Sequence, residues 1–548
     1  MTAERPSDGV GRRSSENVVA PAAVPLDPTG VPNLDLVLGG GLRRGSLILL
    51  VGPPGSGKTT IAGQMAFAAA RNDRRVLFLT ALSEPVSKLV GNLRTFLFFD
   101  DAVVGDLLRL HSLQQFLPQG LASTGREVAA IVRDERAELV VIDGFSGLRA
   151  VGGPQAARRF LYDLGTALSL QGATTLITSE GTARDPAAFG ELTTADVILG
   201  IEHVRDNVRA TRWLEIVKAR GSSALGGLHG VTIGQQGAAV HPRLESRIVP
   251  ALVGDDAVHA AGDPAEPTPA AFGLPELDNL LGGGLPRDTR TLVVGGPGSG
   301  KTLLGLHFAL AGAAAKEPTV FLSLRESRRQ LVRAGAPFAF APALREALAP
   351  DGPVTLLRRP AVELDIEPLA DDVFATLDRI GARRLVIDSI GEWERAVGEG
   401  SDPRRIPNHL AALVELLHAR RLTTLILRGS NGLAASVDDA EPTDPLAITV
   451  DNVLTLGSIT NNDRTHRVLS LPKLRFAPSD AGRYEFEIAP PAGMRVLGAF
   501  RAGEGVLEAL AEAERPAGSG GLEDLDDHVD RDDAAGEEGV PAVPPVGR

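Results

Sequence analysis

Short, mainly apolar runs alternate along this chain with longer stretches of helical periodicity, and the alternation occurs twice. In the first half the runs at 46–51, 76–80, 138–142 and 174–178 read as buried strands, and 58–70, 125–136 and 156–171 read as helices. Strands that lack polar alternation need cover on both faces. The pattern therefore predicts an α/β fold built on a mostly parallel, doubly wound sheet. Beyond Ile198 the chain becomes strand-rich, through 212–218 and 231–233, which predicts antiparallel strands at the end of that sheet.

The spacing of matched segments makes this a tandem repeat. Gly39 and Gly282 lie 243 residues apart, as do Lys58 and Lys301. Asp143 and Asp388, which end apolar strands, are 245 apart, and Lys218 and Lys473 are 255 apart. Each repeat opens with a short amphipathic helix closing on a glycine cluster, Gly39-Gly40-Gly41 and Gly282-Gly283-Gly284. The expected layout is a disordered tail at 1–24, a first domain at 25–250, a linker at 251–268 and a second domain at 269–500. A last helix at 501–515 and an acidic disordered tail at 516–548 complete it.

Composition narrows the function classes. The chain has 548 residues, too many for one ordinary core, and no cysteine, so disulfides, thiolate zinc sites and cysteine nucleophiles are excluded. No apolar run approaches the roughly 18 to 20 residues a spanning helix needs, and the polar N-terminus does not read as a signal peptide. A soluble, cytoplasmic protein is expected. Net charge is −13, of which the tail at 516–548 contributes −7. A nearly neutral body is not the footprint of a nucleic-acid binder.

The chemistry concentrates where a strand passes into a helix through glycines. Gly52-Pro53-Pro54-Gly55-Ser56-Gly57-Lys58-Thr59-Thr60 and Gly295-Gly296-Pro297-Gly298-Ser299-Gly300-Lys301-Thr302-Leu303 both have the form of a phosphate-binding P-loop. The glycines let backbone N–H groups turn inward as an anion nest, and the helix N-terminus adds positive potential. Lys58 and Lys301 would reach the terminal phosphates of ATP, and the Thr59 and Thr302 hydroxyls would ligate Mg²⁺. Asp143 and Asp388 stand where the Walker B carboxylate that holds the Mg²⁺ water shell belongs. Hydrolysis also needs an acid that orients water, sought after the next strand. Glu326 fills that place in the second half. In the first, Glu84 arrives one position later and reads either as that acid or as part of the next helix's N-cap region. The Lys-x-Arg pairs Lys218/Arg220 and Lys473/Arg475 read either as solvated strand cations or as partners of a neighbouring subunit's γ-phosphate.

With Thr29-Gly30-Val31, Leu34-Asp35, Leu38-Gly39-Gly40-Gly41-Leu42 before a P-loop, then Thr174-Thr175-Leu176-Ile177-Thr178-Ser179-Glu180 and Lys218-x-Arg220-Gly221, the chain resembles the KaiC family, a branch of the RecA superfamily. The resemblance covers about 28–490. It implies two RecA-like domains, ATP and Mg²⁺ held between subunits, a two-tiered hexameric ring and Lys-x-Arg acting in trans. The family's clock protein carries paired glutamates where this chain has Leu82-Ser83 and Arg325-Glu326, so turnover is expected mainly in the second half. Its phosphoacceptor pair falls on Ala447-Ile448, so autophosphorylation is not expected. A KaiC-like ATPase acting in signalling, with a regulatory protein partner as candidate, is the leading expectation. A RadA-like repair ATPase, from Lys473-x-Arg475-Phe476, and a non-hydrolysing scaffold are the alternatives.

Overall fold

The computed structural model describes residues 25–81, 84–184, 193–206, 209–248, 268–400, 402–430, 444–461, 464–475 and 482–500. The expected N-terminal tail, the linker up to 267, the last helix and the acidic tail lie outside the described residues, as do Leu82, Ser83 and Phe476.

Two small strands, β1 (Leu26–Asp27) and β2 (Leu42–Arg43), pair antiparallel and bracket the helix Leu34–Leu38. That helix ends on Gly39 at φ 78°, a left-handed turn that a side chain would strain. The first large sheet then begins with β3 (Leu47–Gly52), β4 (Val76–Thr80), β5 (Leu108–Ser112), β6 (Leu139–Asp143) and β7 (Thr174–Glu180). It continues with β8 (Val197–Asp206), β9 (Arg209–Ala219), β10 (Leu228–Gly234) and β11 (Gly237–His241). Its order is β11-β10-β9-β8-β3-β7-β6-β4-β5. From β5 through β8 neighbouring strands are parallel, and β9, β10 and β11 are added antiparallel.

The second half repeats this. Its strands are β12 (Arg290–Gly295), β13 (Thr319–Ser323), β14 (Val354–Arg358), β15 (Arg384–Asp388), β16 (Thr423–Gly429), β17 (Asn452–Asn461), β18 (Arg464–Lys473), β19 (Arg483–Ala489) and β20 (Gly493–Ala499). They lie in the order β14-β13-β15-β16-β12-β17-β18-β19-β20, which is the first half's order strand for strand. The α/β fold with two tandem, mostly parallel sheets and antiparallel ends is thus as the sequence predicts.

Every residue of β3, β4, β6, β12, β13 and β15 is buried, because helices cover both faces of the parallel region. Helices Lys58–Arg71 and Lys301–Ala314 follow the glycine loops, the first close to its expected bounds of 58–70. The helix expected at 156–171 starts earlier, at Phe145, and is broken at Gly153 (φ 77°, ψ 165°) just before Pro154. The edge strand β5 was not among the expected elements. Only Leu108 of its residues is buried, so it carries little apolar signal.

The first half ends by inserting into the second. Leu244, in the turn Leu244–Ser246, is 1% exposed and packs in the core that contains Trp393, Leu410 and Leu413. Next to it Arg405 donates to Glu245 at 2.6 and 2.9 Å and pairs with Glu367 at 2.7 Å. Burial pushes the Glu245 carboxyl up, but His409, 3.8 Å away, and Arg405 reverse this and hold it well below the usual range. Asp371, on helix Ile366–Ile380, accepts from Arg247 and meets His241 Nδ1 at 2.6 Å.

Candidate active sites

Both glycine loops stand at the C-terminal ends of central strands, where ligands of open α/β sheets bind. The N-cap residues Gly57 and Gly300 have φ 99° and 101°, and a Cβ on either would strike Ile233 or Ile488 at 2.2 or 2.6 Å. Glycine is therefore required twice over, by conformation and by space.

Lys58 Nζ donates to the carbonyls of Gly52 and Pro53, each at 2.9 Å, and Lys301 Nζ to those of Gly295 and Gly296 at 2.7 and 2.8 Å. Burial pushes both ammonium groups down. At Lys58 two carboxylates oppose this, Glu180 more strongly than Asp143, and at Lys301 Asp388 does so. Thr59 Oγ1 donates to Asp143 Oδ2 at 3.0 Å, and Thr302 Oγ1 to Asp388 Oδ2 at 2.7 Å. Asp143 also accepts from Thr178 Oγ1 at 2.5 Å. The Asp388 carboxyl is raised, by burial first, with Thr302 and Lys301 opposing. A hydroxyl and a carboxylate side by side are hard oxygen donors suited to Mg²⁺, which takes its remaining ligands from phosphate and water.

Strand register aligns the two acid loops. Thr80 pairs with Asp143 and Ser323 with Asp388, and the next amides, Ala81 and Leu324, donate to the Asp143 and Asp388 carbonyls at 2.9 and 2.7 Å. Glu326, three residues beyond Ser323, thus corresponds to Ser83. Glu326 lines a cavity of about 330 Å³ together with Lys301, Thr302 and Phe338. Its Oε2 is buried with no hydrogen-bond partner, which suits a carboxylate awaiting a ligand's water. Burial raises its pKa, and the Asp388 charge raises it further. Next to it Arg325 pairs with Glu392, whose other oxygen accepts from Ser389 Oγ. The helix that carries Glu392 also carries Trp393, which is fully buried and donates from Nε1 to His409 Nε2 at 3.0 Å. Glu84 instead accepts from Asn92 Nδ2 at 3.2 Å, on the helix that follows it.

The Lys-x-Arg pairs sit away from their own loops. Lys473 Nζ donates to Ala447, Ile448 and Val450 carbonyls at 3.0, 2.9 and 2.6 Å, and Lys218 Nζ to the Thr193 carbonyl at 3.1 Å. Arg220 lies 3.5 Å from Asp196 and Arg475 3.8 Å from Asp451. Those two aspartates accept from the Leu47 and Arg290 amides at 3.0 and 2.9 Å, at the start of β3 and β12. The P-loops begin at the other end of these strands.

Two arginines escaped the sequence reading. Arg212 donates to the Gly55 carbonyl at 3.4 Å and Arg467 to the Gly298 carbonyl at 2.8 Å, each reaching its own loop from a late strand. They are 255 residues apart, the same offset as Lys218 and Lys473, and that recurrence would have found them. The half-buried Trp213 stands next to Arg212 and donates to Thr211 Oγ1 at 3.1 Å.

Comparison with known proteins agrees with this geometry. The chain is similar to the circadian clock oscillator protein KaiC of Parathermosynechococcus lividus, 22% identical over 92% of this chain and 93% of that one. It is 24% identical to the circadian clock protein KaiC3 of Synechocystis sp. over 89% of this chain and 96% of the relative. With KaiC of Synechococcus elongatus it shares 28% identity over 56% of this chain and 59% of that protein. The KaiC ATPase family model matches residues 27–245 and again 270–499. Two such matches, each laid over one nine-stranded sheet and its P-loop, place this chain in the KaiC family of ATPases.

Proposed function

We propose that this protein is a KaiC-like ring ATPase that binds Mg²⁺-ATP in both halves and signals through nucleotide-dependent assembly, as a cytoplasmic hexamer of two-domain chains (25–250 and 269–500). One observation carries the assembly. On β9, Arg212 touches its own P-loop, and Lys218 lies six residues further along the same strand. Six strand residues span about 20 Å. Lys218 and Arg220 are therefore out of reach of their own phosphate site, and Lys473 and Arg475 repeat the arrangement. A head-to-tail ring presents each pair to the next subunit's nucleotide.

Within each site the chain's residues divide the work. Lys58 and Lys301 exchange their backbone carbonyls for phosphate oxygens. Thr59 with Asp143, and Thr302 with Asp388, hold Mg²⁺, which neutralises phosphate charge when bound. Glu326 orients the attacking water in the second half, so that half carries most turnover, while nucleotide in the first half knits the ring. A regulatory protein reads the assembled state. Sizing the purified chain with and without Mg²⁺-ATP, with phosphate release measured on the same sample, tests this; a monomer at saturating Mg²⁺-ATP would overturn it. The repair-motor alternative predicts submicromolar single-stranded DNA binding at physiological salt, which the acidic balance disfavours.

A further inference from the structure

Strand register decides which side chain stands at each strand tip around the P-loop. In the first half β7 lies between the P-loop strand β3 and β6, which ends on Asp143. Its last residue, Glu180, is the partner of Gly52. The chain is pinned there from both sides. The Gly181 amide donates to the Gly52 carbonyl at 3.3 Å, and the Glu180 amide donates to Ser146 Oγ at 2.8 Å. Of the carboxylates that act on Lys58, that of Glu180 acts most strongly.

The second half has the same backbone and no acid at this place. Gly295 pairs with Gly429, and the Ser430 amide donates to the Gly295 carbonyl at 3.1 Å. Its acid, Glu326, comes from the loop after β13, where the first half has Ser83. The two halves therefore bring a carboxylate beside the P-loop from different strands.

We propose that Glu180 is the water-orienting carboxylate of the first site, in the role Glu326 fills in the second. This rests on the reading that the first P-loop takes ATP. Water held by Glu180 attacks the γ-phosphorus, and its oxygen forms the new P–O bond as the bond to the β–γ bridging oxygen breaks. That oxygen leaves with the electron pair as ADP. The water's proton passes to the carboxylate and on to solvent, leaving inorganic phosphate. Glu180 is exposed whereas Glu326 is half-buried, so water screens it and the first site turns over more slowly.

The test uses the full chain carrying Lys301→Ala, which removes nucleotide from the second site. Bound ATP per chain then reports the first site, and phosphate release reports its turnover. Adding Glu180→Gln is expected to lower that release by about 10²-fold or more. ATP occupancy and ATP-dependent assembly should hold, and Glu180→Asp should restore part of the rate. Release that survives Glu180→Gln, or that disappears with Glu84→Gln instead, would overturn the proposal, as would an occupied first site with no turnover. A first site that takes no ATP would overturn the underlying reading along with it.

Discussion

Lys473 donates to the carbonyl of Val450 at 2.6 Å, just past the helix Pro445–Thr449, and so caps a helix end instead of approaching its own P-loop. Burial, with Arg475 beside it, pushes its ammonium down from the ordinary lysine value. Its three N–H donors rest on helix-end carbonyls, which a neighbouring subunit's phosphate would replace with an anionic partner.

That relationship predicts complementation between subunits. Chains with Lys473→Ala keep an intact P-loop, and chains with Lys301→Ala keep an intact Lys473. Each alone should show little second-site turnover. Mixed, they should regain activity above the sum of the two, because some interfaces join a good P-loop to a good lysine. Phosphate release across a titration of mixing ratios measures this, and a strictly additive response would show that Lys473 does not act across the interface.

Glu326→Gln should lower phosphate release by about 10² to 10⁴-fold while leaving ATP-dependent assembly intact. The pH dependence follows from its surroundings. Burial and Asp388 raise the Glu326 pKa, so the acid stays protonated to a higher pH than an ordinary glutamate. Water orientation needs the carboxylate, so turnover should fall with decreasing pH while the pH is still above the ordinary glutamate range. A pH–rate profile of assembled protein, flat down to pH values near 4 on the ordinary glutamate scale, would contradict this.

Lys58→Ala should weaken assembly more than it slows each assembled ring. In the proposed function the first-half nucleotide knits neighbouring chains, whereas Glu326 and Lys301 are untouched by this substitution. Sedimentation against ATP concentration gives the first quantity, and activity per assembled chain gives the second.

At the join between halves, Arg405→Ala leaves Glu245 and Glu367 facing each other with their shared cation gone. These carboxylates are 12% and 4% exposed. Breaking such a buried cluster from one side costs about 3 to 5 kcal/mol. The expected result is a lower unfolding midpoint in denaturant, with the two halves melting separately. Replacing all three by apolar residues of similar volume should recover much of the loss.

How much of this could be read in advance depended on what each signal was made of. The strands β3, β6, β12 and β15 announced themselves because burial on both faces leaves an apolar run along most of each strand, and the P-loops because Gly57 and Gly300 admit no side chain. β5 was illegible because an edge strand with one buried residue leaves no pattern. Glu245, Arg405 and Asp371 gave no sign either: the contacts that join them across the halves, Glu245 to Arg405 and Asp371 to His241, span more than a hundred positions, and isolated charges look alike in sequence. Glu180 was in view only as the last residue of the segment Thr174–Glu180, two positions past the strand expected at 174–178. Only the pairing of Glu180 with Gly52 shows that the strand ends beside the P-loop.

The chain contains two tryptophans, and the fold gives one to each half. Trp213 is half-buried next to Arg212, which holds the first P-loop, and Trp393 is fully enclosed five residues beyond Asp388. The protein thus carries a separate intrinsic fluorophore in each half. Trp213→Phe and Trp393→Phe would each leave a single emitter, one partly wetted and one in a dry pocket. Nucleotide binding to each half could then be followed in real time, without an added label.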